Sequence, residues 1–217
     1  MRRVALALLI LMCAAVAWSQ TEAVVQRVSG RVEVMQPGGA AWTAAAPGMR
    51  LALGATVSTS FQSEATLALG SSVVQVKPLT RMRIDQLAQQ QDTVSTELYL
   101  RVGRVRAEVK GAEGLRQDFK VRSPISTAAV RGTTFENDGV NTTVEDGLVT
   151  ISNQFGQGTS LGAGEQGSAT GDGTPTGGED KKEEQSTTDT STGKTAPGAA
   201  PPPKNGSIRI NWTTYVG

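Results

Sequence analysis

The fold is decided by residues 94–109, which read VSTELYLRVGRVRAEV. Apolar and polar side chains alternate strictly up to Leu100, and they alternate again from Val105 onward. A period of two is typical of a β-strand with one face buried and the other in solvent. A glycine between two such runs favours a corner or a bulge, where a side chain would clash. The stretch therefore predicts two short strands that meet at Gly103.

The same alternation recurs outward along the chain in short runs that Gly, Pro, Asp or Asn interrupt. These runs lie at residues 28–34, 65–69, 74–76, 82–84, 119–121, 133–135, 142–144 and 149–151. Residues 84–91 indicate at most a brief helical turn. We therefore predict one all-β domain over residues 22–167, with a β-sandwich, barrel or short β-solenoid-like architecture.

Glycine also marks details of this domain. Asp138-Gly139 and Asp146-Gly147 predict tight hairpin turns, because glycine readily adopts a positive φ. The Gly103-Arg104 pair repeats an earlier Gly-Arg pair at residues 30–31, with valine-rich flanks in both places. The spacing of this echo is irregular, so it does not indicate an array of repeats.

The N-terminus has the pattern of a Sec-type signal peptide. Two arginines follow Met1, and an apolar run extends to Val16. This run is shorter than the roughly 20 residues that a spanning helix needs. Small residues predict cleavage near Ala17 or Ser19, which makes residues 1–19 the signal. We expect the mature protein to be periplasmic or secreted, without a membrane span.

The C-terminal part changes composition. Residues 168–206 consist mainly of Gly, Ser, Thr, Pro, Glu and Lys. Such a stretch buries too little apolar surface to offset chain entropy, which predicts a disordered linker. Ile208, Ile210 and Trp212 then alternate with polar residues. We predict a short strand over residues 207–217 that docks on this domain's own edge or on the sheet of another protein.

The composition argues against most enzyme chemistry. The sequence has no His, and its one Cys is Cys13 inside the predicted signal peptide. The mature chain therefore lacks the residues for a Ser-His-Asp triad, a thiolate nucleophile or a soft metal site. The acidic residues are scattered over polar strand faces, as solvated surface usually is. We expect a protein that is not an enzyme and that uses no metal or cofactor.

The total charge is balanced, but its distribution is not. The sequence has 21 Lys and Arg against 20 Asp and Glu, which predicts no nucleic-acid partner. A basic excess lies between Arg101 and Arg131, and its candidate partner-binding residues are Arg101, Arg104, Arg106 and Lys110. Two interpretations stay open: a solvated polar strand face, or a surface for an acidic envelope polymer or an acidic protein.

Residues 123–135, SPISTAAVRGTTF, resemble the FecR periplasmic domain family, most specifically in Val130-Arg131-Gly132-Thr133. Weaker pieces of the family pattern follow in the right order over about residues 25–164. They lie at residues 48–59, 67–76, 98–105, 145–149 and 162–165. Within the string, one interpretation gives Arg131 an anionic ligand. The favoured one is structural: Gly132 permits the backbone conformation, while Arg131 bonds to nearby carbonyls or a carboxylate.

The resemblance implies a fold and a class of function. The namesakes of the family are membrane regulators that relay iron-siderophore signals from an outer-membrane receptor to a cytoplasmic sigma factor. This sequence shows no sigma-binding segment, so we expect a stand-alone exported FecR-domain protein that binds or scaffolds an envelope protein. The first alternative is a domain that binds an anionic envelope polysaccharide through the basic strand face. A more distant alternative is the periplasmic part of an iron-sensing relay.

Overall fold

The computed structural model describes residues 23–111 and 114–180, and every helix or strand in these ranges is a β-strand. The strands are β1 (Ala23–Ser29), β2 (Val32–Met35), β3 (Thr43–Ala44), β4 (Arg50–Leu51), β5 (Thr56–Thr59), β6 (Glu64–Leu69), β7 (Ser72–Val76), β8 (Arg81–Gln90), β9 (Thr93–Val102), β10 (Val105–Glu108), β11 (Arg116–Arg122), β12 (Ser126–Asn137), β13 (Asn141–Asn153), β14 (Gly158–Leu161), β15 (Glu165–Ser168) and β16 (Thr176–Asp180). The prediction of an all-β domain is confirmed. Within these ranges no helix could cross a membrane.

The strands form one continuous sheet that curls around its core. Their order is β3-β2-β5-β8-β9-β11-β12-β10-β7-β6-β1-β4, and β13 to β16 continue from β12. The pair β9–β11 is parallel, whereas hairpin neighbours such as β8–β9 and β12–β13 are antiparallel. The inward side chains of most strands belong to a single buried cluster. Its largest members include Phe119 and Phe135, whose rings meet edge to face with centroids 6.2 Å apart.

The chain changes from one half of the curled sheet to the other at a row of corners. One half contains β2, β5, β8 and β9, and the other contains β1, β6, β7 and β10. Each of the segments β1–β2, β5–β6, β7–β8 and β9–β10 therefore crosses between the halves. Hydrogen bonds join neighbouring corners: Ser60 N–H donates to the carbonyl of Arg31 (3.0 Å), and Leu79 N–H donates to the carbonyl of Ser60 (3.3 Å).

Gly103 makes the corner between β9 and β10 possible. Its φ is +96°, and a Cβ at this position would lie 2.4 Å from the Cα of Thr80. The next residue, Arg104, donates its backbone N–H to the hydroxyl of Thr80 over 2.9 Å. Gly30 repeats this arrangement at the first corner, where a Cβ would lie 2.4 Å from the hydroxyl of Ser63. The two Gly-Arg pairs of the sequence, at residues 30–31 and 103–104, therefore form the same kind of corner.

Two of the local predictions are wrong. Residues 84–90 are part of β8, which forms a long hairpin with β9 and contains no helical turn, and Gln91 lies in the turn of that hairpin. Pairing across the whole length of this hairpin outweighs a weak local preference. Asp146-Gly147 lies inside β13, where the register with β12 shifts, so it forms a bulge. The hairpin turn predicted at Asp138-Gly139 is confirmed, because it joins β12 to β13.

The strands also continue past the predicted domain end at Gly167. β15 includes Gly167, and β16 lies in the stretch that the sequence predicts to be disordered. A Cβ at Gly177 would lie 2.3 Å from a methyl carbon of Leu161, and one at Gly167 would lie 2.8 Å from the same carbon. The glycines therefore permit close packing here. The predicted signal peptide, the rest of the linker and the strand at 207–217 lie outside the described residues.

The corner contact gives a direct stability test. We expect Gly103→Ala in the full chain to lower the free energy of unfolding by about 2–4 kcal/mol, because the new methyl group meets Thr80 and the positive φ becomes strained. Gly111→Ala is the matched control, since a Cβ there would meet nothing within 4 Å. Urea unfolding measures both variants. Equal losses for the two would contradict this role of Gly103.

Candidate functional site

The four basic residues predicted as a binding face do not come together. Arg101 lies in β9, on the half of the sheet that contains β8 and β11. Arg104 lies at the corner after β9, Arg106 lies in β10, and Lys110 follows β10 on the other half of the sheet. The shared parity of the last three residues is correct, but Arg101 belongs to a different surface.

Ion pairs occupy the three residues around β10. Arg106 makes a two-point contact with Glu145 of β13, including an Nε–Oε1 hydrogen bond of 2.9 Å. This hydrogen bonding raises the pKa of Arg106 above its usual value, against a smaller opposing effect of burial. Arg104 Nη1 lies 3.1 Å from Glu136 Oε1, and Lys110 Nζ lies 2.9 Å from Glu108 Oε1. The positive charge that the sequence places here is therefore neutralised locally.

The string Val130–Thr133 forms a bulge in the middle of β12. Val130 and Thr133 are buried, while Arg131 and Gly132 are exposed. Gly132 has a φ of +61°, and a Cβ on the facing Gly147 would lie 2.4 Å from Thr133 Cγ2. Gly132 and Gly147 thus permit close packing of β12 against β13. This supports a structural role for Val130-Arg131-Gly132-Thr133. In the described ranges, however, the side chain of Arg131 makes no hydrogen bond or ion pair, so the expected bonds to carbonyls or a carboxylate are not observed.

A different surface stands out, which the sequence analysis missed. Phe61, Leu79 and Val102 are 71%, 60% and 58% exposed, and they occupy three successive corners of the row. The hydrogen bond from Leu79 to Ser60 places Leu79 beside Phe61, and the Leu79 carbonyl packs against Gly103, next to Val102. We call these three residues the apolar corner.

A pocket of about 500 Å³ opens beside the apolar corner. Its apolar wall is Pro78, Leu79 and Val102, and its polar rim consists of Lys77, Arg104, Glu136 and Asp138. The paired Arg104 and Glu136 lie at this rim, so the rim carries charged groups of both signs. The pocket is thus suited to accept an apolar side chain between charged neighbours.

The backbone of the apolar corner is strained. Leu79 has a φ of +57° and Gln62, next to Phe61, has a φ of +51°. This left-handed region costs a residue with a Cβ roughly 1–2 kcal/mol. Hydrogen bonds hold the corner in place: the Thr59 hydroxyl accepts the N–H of Thr80 (2.9 Å) and donates to the carbonyl of Lys77 (2.6 Å). Strain that the structure maintains at an exposed apolar residue is typical of a functional surface.

Asp138 fixes the hairpin at the pocket rim. Burial raises the pKa of its carboxyl, but hydrogen bonds from Asn141 and from the N–H of Val140, together with the charge of Arg104, outweigh that effect and lower the pKa. The Oδ1 atom accepts the N–H of Asn141 over 2.7 Å and that of Val140 over 3.0 Å. The ionised form of Asp138 is therefore the one that the fold favours.

Comparison with known proteins gives a match to one family model and matches to solved structures. The model of the FecR protein family matches residues 55–150. Two crystal structures of a "putative anti-sigma factor" from Parabacteroides distasonis, at 1.65 Å and 2.50 Å, are each 20% identical to this chain, with TM-scores of 0.47 and 0.46. Each match covers 58% of this chain and 59% of the other. No protein of curated function matches the sequence.

The lowered pKa of Asp138 predicts a pH-dependent contribution to stability. Because the folded pKa lies below the unfolded value of about 3.9, the carboxylate stabilises the fold above that pH, and the effect disappears as the pH falls through the folded pKa. Asp138→Asn should therefore be less stable than the native chain near pH 7, and the difference should shrink below about pH 4. Urea unfolding from pH 7 to below about pH 4 measures this stability difference. Asp92→Asn in the β8–β9 turn is the control and should not show the same pH dependence. A difference that stays constant with pH would contradict the assignment.

Proposed function

We propose that this protein is a non-enzymatic binding module of the cell envelope that holds a partner protein at its apolar corner. The match of the FecR family model to residues 55–150 supports this proposal. Phe61, Leu79 and Val102 all lie within the matched residues. The envelope location rests on the signal-peptide pattern of residues 1–19. The apolar corner is the observation that carries the proposal.

The exposed side chains support a protein partner more than any other ligand class. Contiguous apolar patches on soluble domains usually mark interaction sites, and binding energy concentrates in a few large side chains at the centre of a contact. Here an aromatic ring and two aliphatic side chains project together, with charged residues around them. An apolar centre with a polar rim is the usual composition of a protein interface.

The pocket also supports a protein partner, because it can accept a side chain of that partner. Its volume of about 500 Å³ suffices for a large side chain, and its wall is formed by the residues that are themselves exposed. A partner would insert an apolar side chain against Pro78 and Leu79, while Phe61 packs on the partner's own surface. Arg104 and Asp138 at the rim would fix the orientation through polar contacts.

The alternatives from the sequence are weaker or use the same surface. A polysaccharide site built from Arg104, Arg106 and Lys110 would require ion pairs to Glu136, Glu145 and Glu108 to open. A signalling relay remains compatible with the proposal, since its receptor or regulator would be the partner at the apolar corner.

Site-specific crosslinking tests the proposal in cells that make the protein. A photoreactive benzoylphenylalanine in place of Phe61 should give one discrete protein adduct. The matched control is the same replacement at Phe155, which is 68% exposed in the turn between β13 and β14. Equal adducts at both positions, or none at Phe61, would contradict binding at the apolar corner.

Substitution of Leu79 separates binding from stability. We expect Leu79→Asn to keep or slightly raise the free energy of unfolding, because Asn tolerates a positive φ and the lost side chain is exposed. The same substitution should abolish the Phe61 adduct, since it removes a wall of the pocket. Leu53→Asn is the control, since Leu53 is 58% exposed. An adduct that survives Leu79→Asn would overturn the proposed site.

A further inference from the structure

A second surface, on the outer side of β8, β9 and β11, concentrates arginine. Arg81 and Arg83 lie on the same face of β8, Arg101 lies in β9, and Arg122 ends β11; all four are exposed. Tyr99 of β9 is opposite Arg83 on one side and opposite Arg122 on the other. Neighbouring strands are about 4.8 Å apart, so the backbones of Arg83 and Arg122 lie about 10 Å apart across Tyr99. We call the four arginines the arginine face.

Contacts hold several of these side chains in position. The Arg83 guanidinium lies 5.3 Å from the ring centroid of Tyr99, and its Nη2 lies 3.1 Å from Asp85 Oδ2. Arg81 lies 5.2 Å from the ring centroid of Trp42. Stacking on Trp42 occupies the flat side of the Arg81 guanidinium and leaves the donors at its edge for a planar anion, whereas Asp85 already occupies the edge of Arg83. A ligand that binds there loses less side-chain entropy than it would on free arginines.

The arginine face keeps a positive charge that the β10 surface does not. Asp85 and Glu97 are its paired acids: Asp85 bonds to Arg83, and Glu97 accepts from Arg122 Nη1 over 2.9 Å. Four arginines against two carboxylates leave a balance of +2. The side chain of Arg101 makes no hydrogen bond or ion pair with any described residue. The nearby pair Lys120–Asp118 is neutral and does not change this balance.

The strands that flank the arginines, β5 and β12, present hydroxyl groups beside them. In the sheet register Ser58 is opposite Arg81, Thr56 is opposite Arg83, and Thr127 is opposite Arg122. Hydroxyls beside guanidinium groups can exchange hydrogen bonds with sugar hydroxyls while the arginines bind carboxylates. The large aliphatic anchors that a folded protein partner would need lie instead at the apolar corner.

From this charge balance and register we propose that the arginine face binds an extended polysaccharide that carries carboxylate groups. Its carboxylates lie on Arg81, Arg101 and Arg122, one arginine on each of β8, β9 and β11, and its hydroxyls contact the Ser and Thr side chains of the flanking strands. This site is separate from the proposed protein-binding function and does not depend on it. The arginine face also differs from the basic surface predicted from the sequence. Of the four predicted partner-binding residues, it includes only Arg101.

Affinity electrophoresis of the full chain through gels that contain polygalacturonate tests the proposal, with dextran as the neutral polymer. We expect retention by polygalacturonate only, and retention should weaken as salt rises. The variant Arg81→Gln/Arg101→Gln/Arg122→Gln should lose about tenfold or more in affinity. The matched control Arg104→Gln/Arg106→Gln/Lys110→Gln removes the same charge from the ion-paired surface and should lose less than about threefold.

Further variants keep the test decisive. Arg101→Gln alone removes a side chain without a described partner, so it should fold normally and still lose about threefold in affinity. Leu79→Asn should leave retention unchanged, which separates this site from the apolar corner. Equal losses in the two triple variants, no retention of the native chain at low salt, or tighter binding of polyglutamate than of polygalacturonate would each overturn the proposal. The last result would assign the face to an acidic peptide.

Discussion

The close contact between Gly103 and Thr80 is the constraint on which much of this structure depends. No side chain fits between the two backbones, and the Thr80 hydroxyl satisfies the N–H of Arg104 at the point where the chain turns from β9 into β10. That turn carries the chain from one half of the curled sheet to the other, so both halves share one core. Gly30 with Ser63 repeats the contact at the first corner, and backbone hydrogen bonds tie the corners into a row.

The row of corners also explains why apolar residues are exposed. Phe61 and Leu79 lie within tight corners and Val102 directly precedes Gly103, and all three side chains project into solvent and not into the core. The hydrogen bonds of the Thr59 hydroxyl to Lys77 and Thr80 flank Leu79, and the hydrogen bond from Ser63 N–H to the carbonyl of Ser60 closes the turn that contains Gln62. One set of backbone contacts therefore serves both the fold and the surface that we propose for binding.

Local pattern predicted the strands well, because burial on one face imposes a period of two wherever a strand packs on the core. It also identified Gly103 and the repeated Gly-Arg pair, since a corner that has no room for a Cβ requires a glycine in the sequence. Four features escaped it because they depend on contacts distant in sequence. The bulge at Gly147 forms only opposite Gly132, β16 is held by packing on Leu161, and the charges of Arg104 and Arg106 are neutralised by acids of β12 and β13. The apolar corner joins residues from three separate turns, and no single window of sequence contains it.

Amide hydrogen exchange of the full chain, measured alone and after mixing with an envelope extract, tests the central claim most directly. The account predicts slower exchange at residues 60–63, 79–80 and 102–104, where a bound partner would cover the corner backbone. Exchange at the β13–β14 turn around Phe155 should not change. Unaltered exchange at the corners, together with protection at another surface, would show that the apolar corner is not the binding site.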